Sequence, residues 1–129
     1  MSQAQLRALE AYTRMMDVNG TAQIFRAAVE LGVLDALETG QKTAAQLAAA
    51  CQVEQEPAEL LLGALCAAGV IEQYADHFAL AQVMHLMPSE FRDLGDRYWQ
   101  HLAEFIRTGK SIPHVETSAL DETDFHVER

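Results

Sequence analysis

Residues 42–81, KTAAQLAAACQVEQEPAELLLGALCAAGVIEQYADHFALA, constrain the fold more than any other stretch of the chain. Thr43 opens a helix, because in TAAQ the side chains of Thr43 and Gln46 each satisfy the other's backbone donor. That helix ends near Cys51, and QVEQE turns the chain. Pro57 suits the first turn of a second helix, where a missing N–H costs nothing. Leu61, Leu65 and Ala68 make its apolar stripe, Leu62 and Cys66 broaden it, and Gly69 stops it. Residues 70–73 and 78–80 read as strands around a turn, YADH. Helix, turn, helix and ribbon describe a winged helix-turn-helix.

That shape is met most often on DNA, with the second helix in the major groove and the wing on the backbone. Both surfaces then need Lys, Arg, Asn or Gln facing outward. Here the second helix offers Glu56 and Glu59, and the wing offers Glu72, Asp76 and His77. Between Lys42 and Arg92 there is no Lys or Arg across 49 residues that hold six carboxylates. Phosphate contacts supply most of a DNA affinity, so this surface is not expected to bind nucleic acid. A winged-helix transcription regulator survives as an alternative only if Arg7, Arg14, Arg26 and Arg92 gather on one face.

The flanks are helical. Residues 3–17 carry Leu6, Leu9, Thr13 and Met16 at near-helical spacing. DVNG at 17–20 is expected to break that helix, with Thr21 capping a second one that runs to Leu31 and stops at Gly32. VLDALETG adds a short helical turn ending at Gly40. Downstream, the spacing of Phe91, Leu94, Tyr98, Leu102 and Phe105 predicts one long helix over 89–108, entered at Pro88 and ended by GKSIP. The fold class is therefore mainly α: a winged helix-turn-helix with a short two-stranded wing and additional helices on either side. Residues 1–113 form this domain. Residues 114–129 carry five acidic residues, offer little to build a core from, and read as a linker.

No catalytic constellation is visible. His77, His85, His101, His114 and His126 show no zinc-site spacing, so no metal is expected. No glycine-rich phosphate loop and no G-x-S-x-G elbow occurs. Cys51 and Cys66 read as small, reduced core residues. The N-terminus lacks a signal-peptide pattern, no apolar run is long enough to span a membrane, and a net charge of −10 disfavours anionic lipid surfaces. A cytoplasmic protein is expected. The wide apolar faces of residues 1–37 and 89–108 exceed what a small winged helix covers, which points to a partner surface, most simply a second copy.

In order, AQIFRAAVELGVLDAL, the 42–80 segment and YWQHLAEFIRTGKSIP resemble the N-terminal dimerisation domain of S-adenosylmethionine-dependent O-methyltransferases. This is the winged-helix type of plant small-molecule enzymes and their bacterial relatives. The resemblance covers about residues 5–113. It implies a homodimer whose helix-turn-helix serves packing, and a lid over a small apolar or aromatic acceptor, with C- or N-methylation left open beside O-methylation. It implies that this chain binds no cofactor and holds no catalytic residue by itself. S-adenosylmethionine and a His base would belong to a C-terminal Rossmann-like domain beyond the acidic linker. By the same resemblance Tyr98, Trp99, Leu102 and Phe105 are candidate acceptor-lining residues, and Tyr12, Met15 and Met16 are candidates for reaching across the dimer. Ordinary core packing is the competing account of all seven. A standalone dimeric module that binds a protein or an apolar ligand is a further alternative.

Overall fold

The structure, a computed structural model, describes residues 1–110. It is mainly helical, with one small antiparallel sheet. By contacts it divides into a unit of residues 1–86 and a second that begins at Met87. The expected linker, 114–129, lies outside the described residues.

The first helix, α1 (Gln3–Leu31), is continuous. The expected break at DVNG does not occur. Gly20 adopts helical backbone, and Thr21 is not a cap: its hydroxyl donates to the Asp17 carbonyl at 3.0 Å, one turn back. A single interior glycine costs up to about 1 kcal/mol against Ala, too little to break a long helix that is capped at both ends. The true start is Ser2. Its hydroxyl accepts the Gln5 N–H at 3.1 Å, and Gln5 Oε1 accepts the Ser2 N–H at 2.8 Å. The end is Gly32, at φ +84°, in the left-handed region that only glycine enters cheaply.

A short helix, α2 (Val33–Glu38), follows. Lys42 then donates from Nζ to the Ala36 carbonyl and to Thr39 Oγ1, both at 2.7 Å, which ties the end of α2 to the next segment. That segment is a strand absent from the sequence-based expectation, β1 (Lys42–Thr43). Two residues are too short to show alternation. Thr43 and Gln46 form the expected capping box at the start of α3 (Ala44–Cys51). Gln52, at φ 58°, ends it, and α4 (Gln55–Ala67) carries Pro57 in its first turn as expected.

The wing is β2 (Ile71–Tyr74) and β3 (His77–Leu80), each displaced by one residue at the turn from the expected strands. Ile71 pairs with Leu80 and Tyr74 with His77. β1 adds on the other side of β3, giving the order β1-β3-β2. A helix not anticipated from the sequence, α5 (Gln82–Leu86), closes the unit. The core lies between the helices and the sheet. Leu34, Leu37, Leu47, Leu62, Leu65 and Ile71 are its largest fully buried side chains. Each contributes about 1.5–3 kcal/mol by leaving water.

The second unit differs from the expected single helix over 89–108. It has a 3-10 turn (Ser89–Phe91), then α6 (Asp96–Trp99) and α7 (Leu102–Thr108). Leu94 at φ 58° and Gly95 at φ 76° reverse the backbone twist between them. The Asp93 carboxylate fixes this break by accepting the Gly95 N–H at 3.1 Å and the Arg97 N–H at 3.2 Å. Apolar spacing alone cannot reveal such a local cap, because the stripe resumes after it.

Candidate functional site

The residues that could meet a partner follow from where α1 leaves the core. Its last turns pack: Ala28 is fully buried, with Ile24, Phe25 and Val29 against the core cluster. Residues 1–21 are exposed except for a half-buried Ala11. This length of helix carries Leu9, Tyr12 and Met16 along one side. Leu9 is 51% exposed, Tyr12 58%, Met15 62% and Met16 55%. Met15 and Val18 also line an open groove with Ala11 and Ala22, edged by Arg14 and Arg26. Tyr12, Met15 and Met16 therefore share one bare stretch of helix and are no part of the core.

The four downstream candidates are also at the surface. Tyr98 and Trp99 sit on α6, edge to face, with ring centres 5.3 Å apart. Trp99 forms one wall of a shallow depression with Asp93, Asp96, Arg97 and Gln100. Leu102 and Phe105 lie on α7, joined by Ile106 on a neighbouring position. The break at Leu94–Gly95 starts a short helix that carries Tyr98 and Trp99 and is separate from the helix of Leu102 and Phe105, so the expected single stripe does not form. Arg97 holds α6 in place, donating from Nε to Asp93 at 3.0 Å and from Nη2 to the Glu90 carbonyl at 3.2 Å. Burial pushes the Asp93 carboxyl up. The N–H groups of Arg97 and Gly95 and the Arg97 guanidinium outweigh it, and the net pKa lies below the usual carboxylate range.

The helix-turn-helix surface is acidic. Glu54, Glu56 and Glu59 are exposed on or beside α4, with Leu60 at 76% exposure among them. On the wing, Tyr74 donates to Glu72 at 2.6 Å, which raises the phenol pKa, and His77 pairs with Asp76 at 2.8 Å. Arg92 is buried, so it cannot join a basic surface with Arg7 and Arg14. Beneath α4 lies an apolar cavity of about 310 Å³ lined by Leu31, Val33, Val53, Pro57 and Leu61, among others.

Among the described residues no group of three His, Cys, Asp or Glu side chains could hold a metal ion. Cys51 and Cys66, read from the sequence as core residues, are free and half-buried against the core, and burial raises both thiols. Raised thiols are poor nucleophiles. No described helix is long and apolar enough to cross a membrane. The start of α1 has a signal in the sequence, since SQAQ repeats the pattern of TAAQ at Thr43, but that box marks only where the helix begins.

A family model described as O-methyltransferase dimerisation domain matches residues 13–87. No curated protein sequence matches. Among solved structures, mitomycin 7-O-methyltransferase MmcR is 27% identical, with a TM-score of 0.60 over 84% of this chain and 36% of that one. CalO1, a methyltransferase of calicheamicin biosynthesis in its SAH-bound form, is 26% identical, with a TM-score of 0.58 over 99% of this chain and 43% of that one. RosA, an N,N-8-amino-8-demethyl-D-riboflavin dimethyltransferase from Streptomyces davawensis, is 25% identical, with a TM-score of 0.58 over 85% and 35%. The chain thus spans less than half the length of each.

Proposed function

The chain belongs to the O-methyltransferase dimerisation-domain family, and on that premise we propose that it pairs two copies of a small-molecule, S-adenosylmethionine-dependent O-methyltransferase and lids their acceptor pockets. The observation that carries this reading is the bare stretch of α1. Leu9, Tyr12, Met15, Met16 and Val18 are all more than half exposed on one helix that is anchored only at its far end. A bare apolar face of that length is a partner surface. A second copy is the simplest partner, because isologous two-fold pairs dominate soluble oligomers.

The chain's own part in the reaction is positional. Tyr12, Met15 and Met16 reach toward the partner's acceptor, while Tyr98, Trp99, Leu102 and Phe105 line the pocket of their own subunit. Such side chains suit a planar, apolar acceptor. They orient its hydroxyl and keep water away. The methyl group comes from S-adenosylmethionine bound elsewhere in the enzyme. This chain supplies neither the cofactor site nor a base. The setting is cytoplasmic, and the acidic α4 and wing have no nucleic-acid partner, in keeping with their lack of Lys and Arg.

Sedimentation of the 129-residue chain at micromolar concentration tests the pairing. The expected mass is twice 14.3 kDa. A monomer sinks the reading. An immunoblot of source cells against this domain tests the enzyme assignment, for which a polypeptide well beyond the mass of this chain is expected. A gel-shift assay at low salt should show no retardation of duplex DNA.

A further inference from the structure

The apolar side of α1 does not fix which way a second helix runs against it. The charged side does. On a helix of 3.6 residues per turn, Gln3, Arg7, Glu10, Arg14, Asp17 and Thr21 fall on a single stripe, with spacings of four, three, four, three and four. All six are exposed. The four charges alternate in sign. Their spacing permits pairs within the helix, yet among the described residues none of the four is engaged in an ion pair.

Taken in reverse, the order plus, minus, plus, minus becomes its own complement. An antiparallel copy centred on position 12 sets Arg7 against Asp17 and Glu10 against Arg14, and each pair occurs twice about the two-fold axis. Gln3 then meets Thr21, so the polar ends also match. A parallel copy in register sets Arg7 on Arg7 and Glu10 on Glu10, and every charge is opposed by its like. From this we infer that α1 pairs with α1 of a second copy through this stripe, antiparallel and centred on residue 12.

The inference rests on the dimer reading above and adds the direction and register of its central contact. Leu9, Tyr12 and Met16 lie on the other side of the helix, and so meet another part of the partner. The helix is thus engaged on two sides: apolar burial supplies affinity, and the stripe supplies specificity. That division is the usual one, since exposed ion pairs contribute little affinity but discriminate strongly against like-charge juxtaposition.

Charge reversal reads the register directly. Arg14→Glu sets the introduced carboxylate against Glu10 of the other copy, twice about the axis. Glu10→Arg likewise sets an introduced guanidinium against Arg14, twice. Each variant should dimerise about tenfold more weakly than the unmodified chain, by sedimentation at low salt, since tenfold corresponds to about 1.4 kcal/mol. Mixing the two variants removes the like-charge contacts, and a heterodimer of near-original affinity should form. The double variant Glu10→Arg/Arg14→Glu restores both pairs within one kind of chain and should dimerise as the unmodified chain does. Circular dichroism of each variant separates loss of pairing from loss of helix, and the double variant serves if either single one fails to fold. Added salt should narrow the differences. If the unmodified chain is monomeric, the dimer reading falls and the register with it. If it is dimeric but the single variants are unaffected, or neither the mixture nor the double variant recovers, the register alone is overturned.

Discussion

The unit of residues 1–86 and the segment 87–110 are held by different forces. The first is organised around buried Leu, Ile, Phe and Met side chains drawn from its helices and the sheet. In the second, the one buried residue among those described is a charged one, Arg92, and Asp93 and Arg97 fix the backbone by hydrogen bonds. Apolar burial acts between elements distant in sequence and makes the first unit cooperative. Polar caps act over three or four residues, so they decide where a short helix starts without deciding what it packs on.

The largest effect that separates the two is expected at Leu65, which is 0% exposed on α4. Leu65→Ala should cost about 2–5 kcal/mol in urea unfolding, because a transfer loss and a cavity add. A cost below about 1 kcal/mol would mean that the core around α4 collapses freely, and the contrast with the second unit would dissolve. Gly95→Ala is the counterpart in the second unit. The left-handed backbone there penalises any Cβ, and an added Cβ would stand 3.0 Å from Trp99 Cδ1. A local cost of about 1–2 kcal/mol is expected. Trp99 is the sole tryptophan, so its fluorescence reports the event directly. A change in Trp99 emission, with the urea midpoint of the far-ultraviolet signal held, is the pattern expected of a cap-held segment. A parallel shift of both would join the two units into one cooperative whole.

The same difference explains what is legible in the sequence. The helix-turn-helix and wing can be read because Leu62 and Leu65 keep the period of a buried helix face, Phe78 and Leu80 that of a buried strand face, and Thr43–Gln46 and Gly69 mark helix edges. Two boundaries mislead for opposite reasons. At residues 17–20 turn-forming residues suggest a stop, but the helix hydrogen bonds continue through Gly20 and Thr21 bonds back to Asp17. At 89–108 an apolar stripe suggests continuity, but Asp93 and the left-handed pair Leu94–Gly95 interrupt it. Strand β1 is invisible because two residues carry no period. The candidate residues Tyr12, Met15, Met16, Tyr98, Trp99, Leu102 and Phe105 come from resemblance. Their spacing is that of any packed helix, and only the folded chain distinguishes exposed from buried.

Capping offers a finer comparison inside the first unit, since Ser2 and Thr43 make the same reciprocal box in different surroundings. Thr43→Ala should cost about 1 kcal/mol of unfolding free energy, because α3 is packed against α2 and α4 and its start is coupled to the core. Ser2→Ala should fray the first turn of α1 and leave the unfolding free energy within about 0.5 kcal/mol, since that end is exposed among the described residues. Equal losses at both positions would mean that the start of α1 is already held, and in a concentrated solution the holder would be the second copy.

The smallest effect expected is the pH response of Asp93. Its folded pKa is depressed, so the unfolded chain binds this proton more readily than the folded one. The stabilisation it gives α6 is complete above the ordinary carboxylate range, near about 3.9, and is lost as the pH falls through the lower folded value. Trp99 fluorescence followed from about pH 5 to pH 2 should show this loss, and in Asp93→Asn that component should be missing. The Asn side chain retains one acceptor for the Gly95 N–H but loses its charge toward Arg97, so the variant at neutral pH should resemble the acidified parent at α6 alone. If acid instead unfolds the first unit at the same point, the two regions are coupled through more than their shared chain. The apolar core would then be carrying the caps.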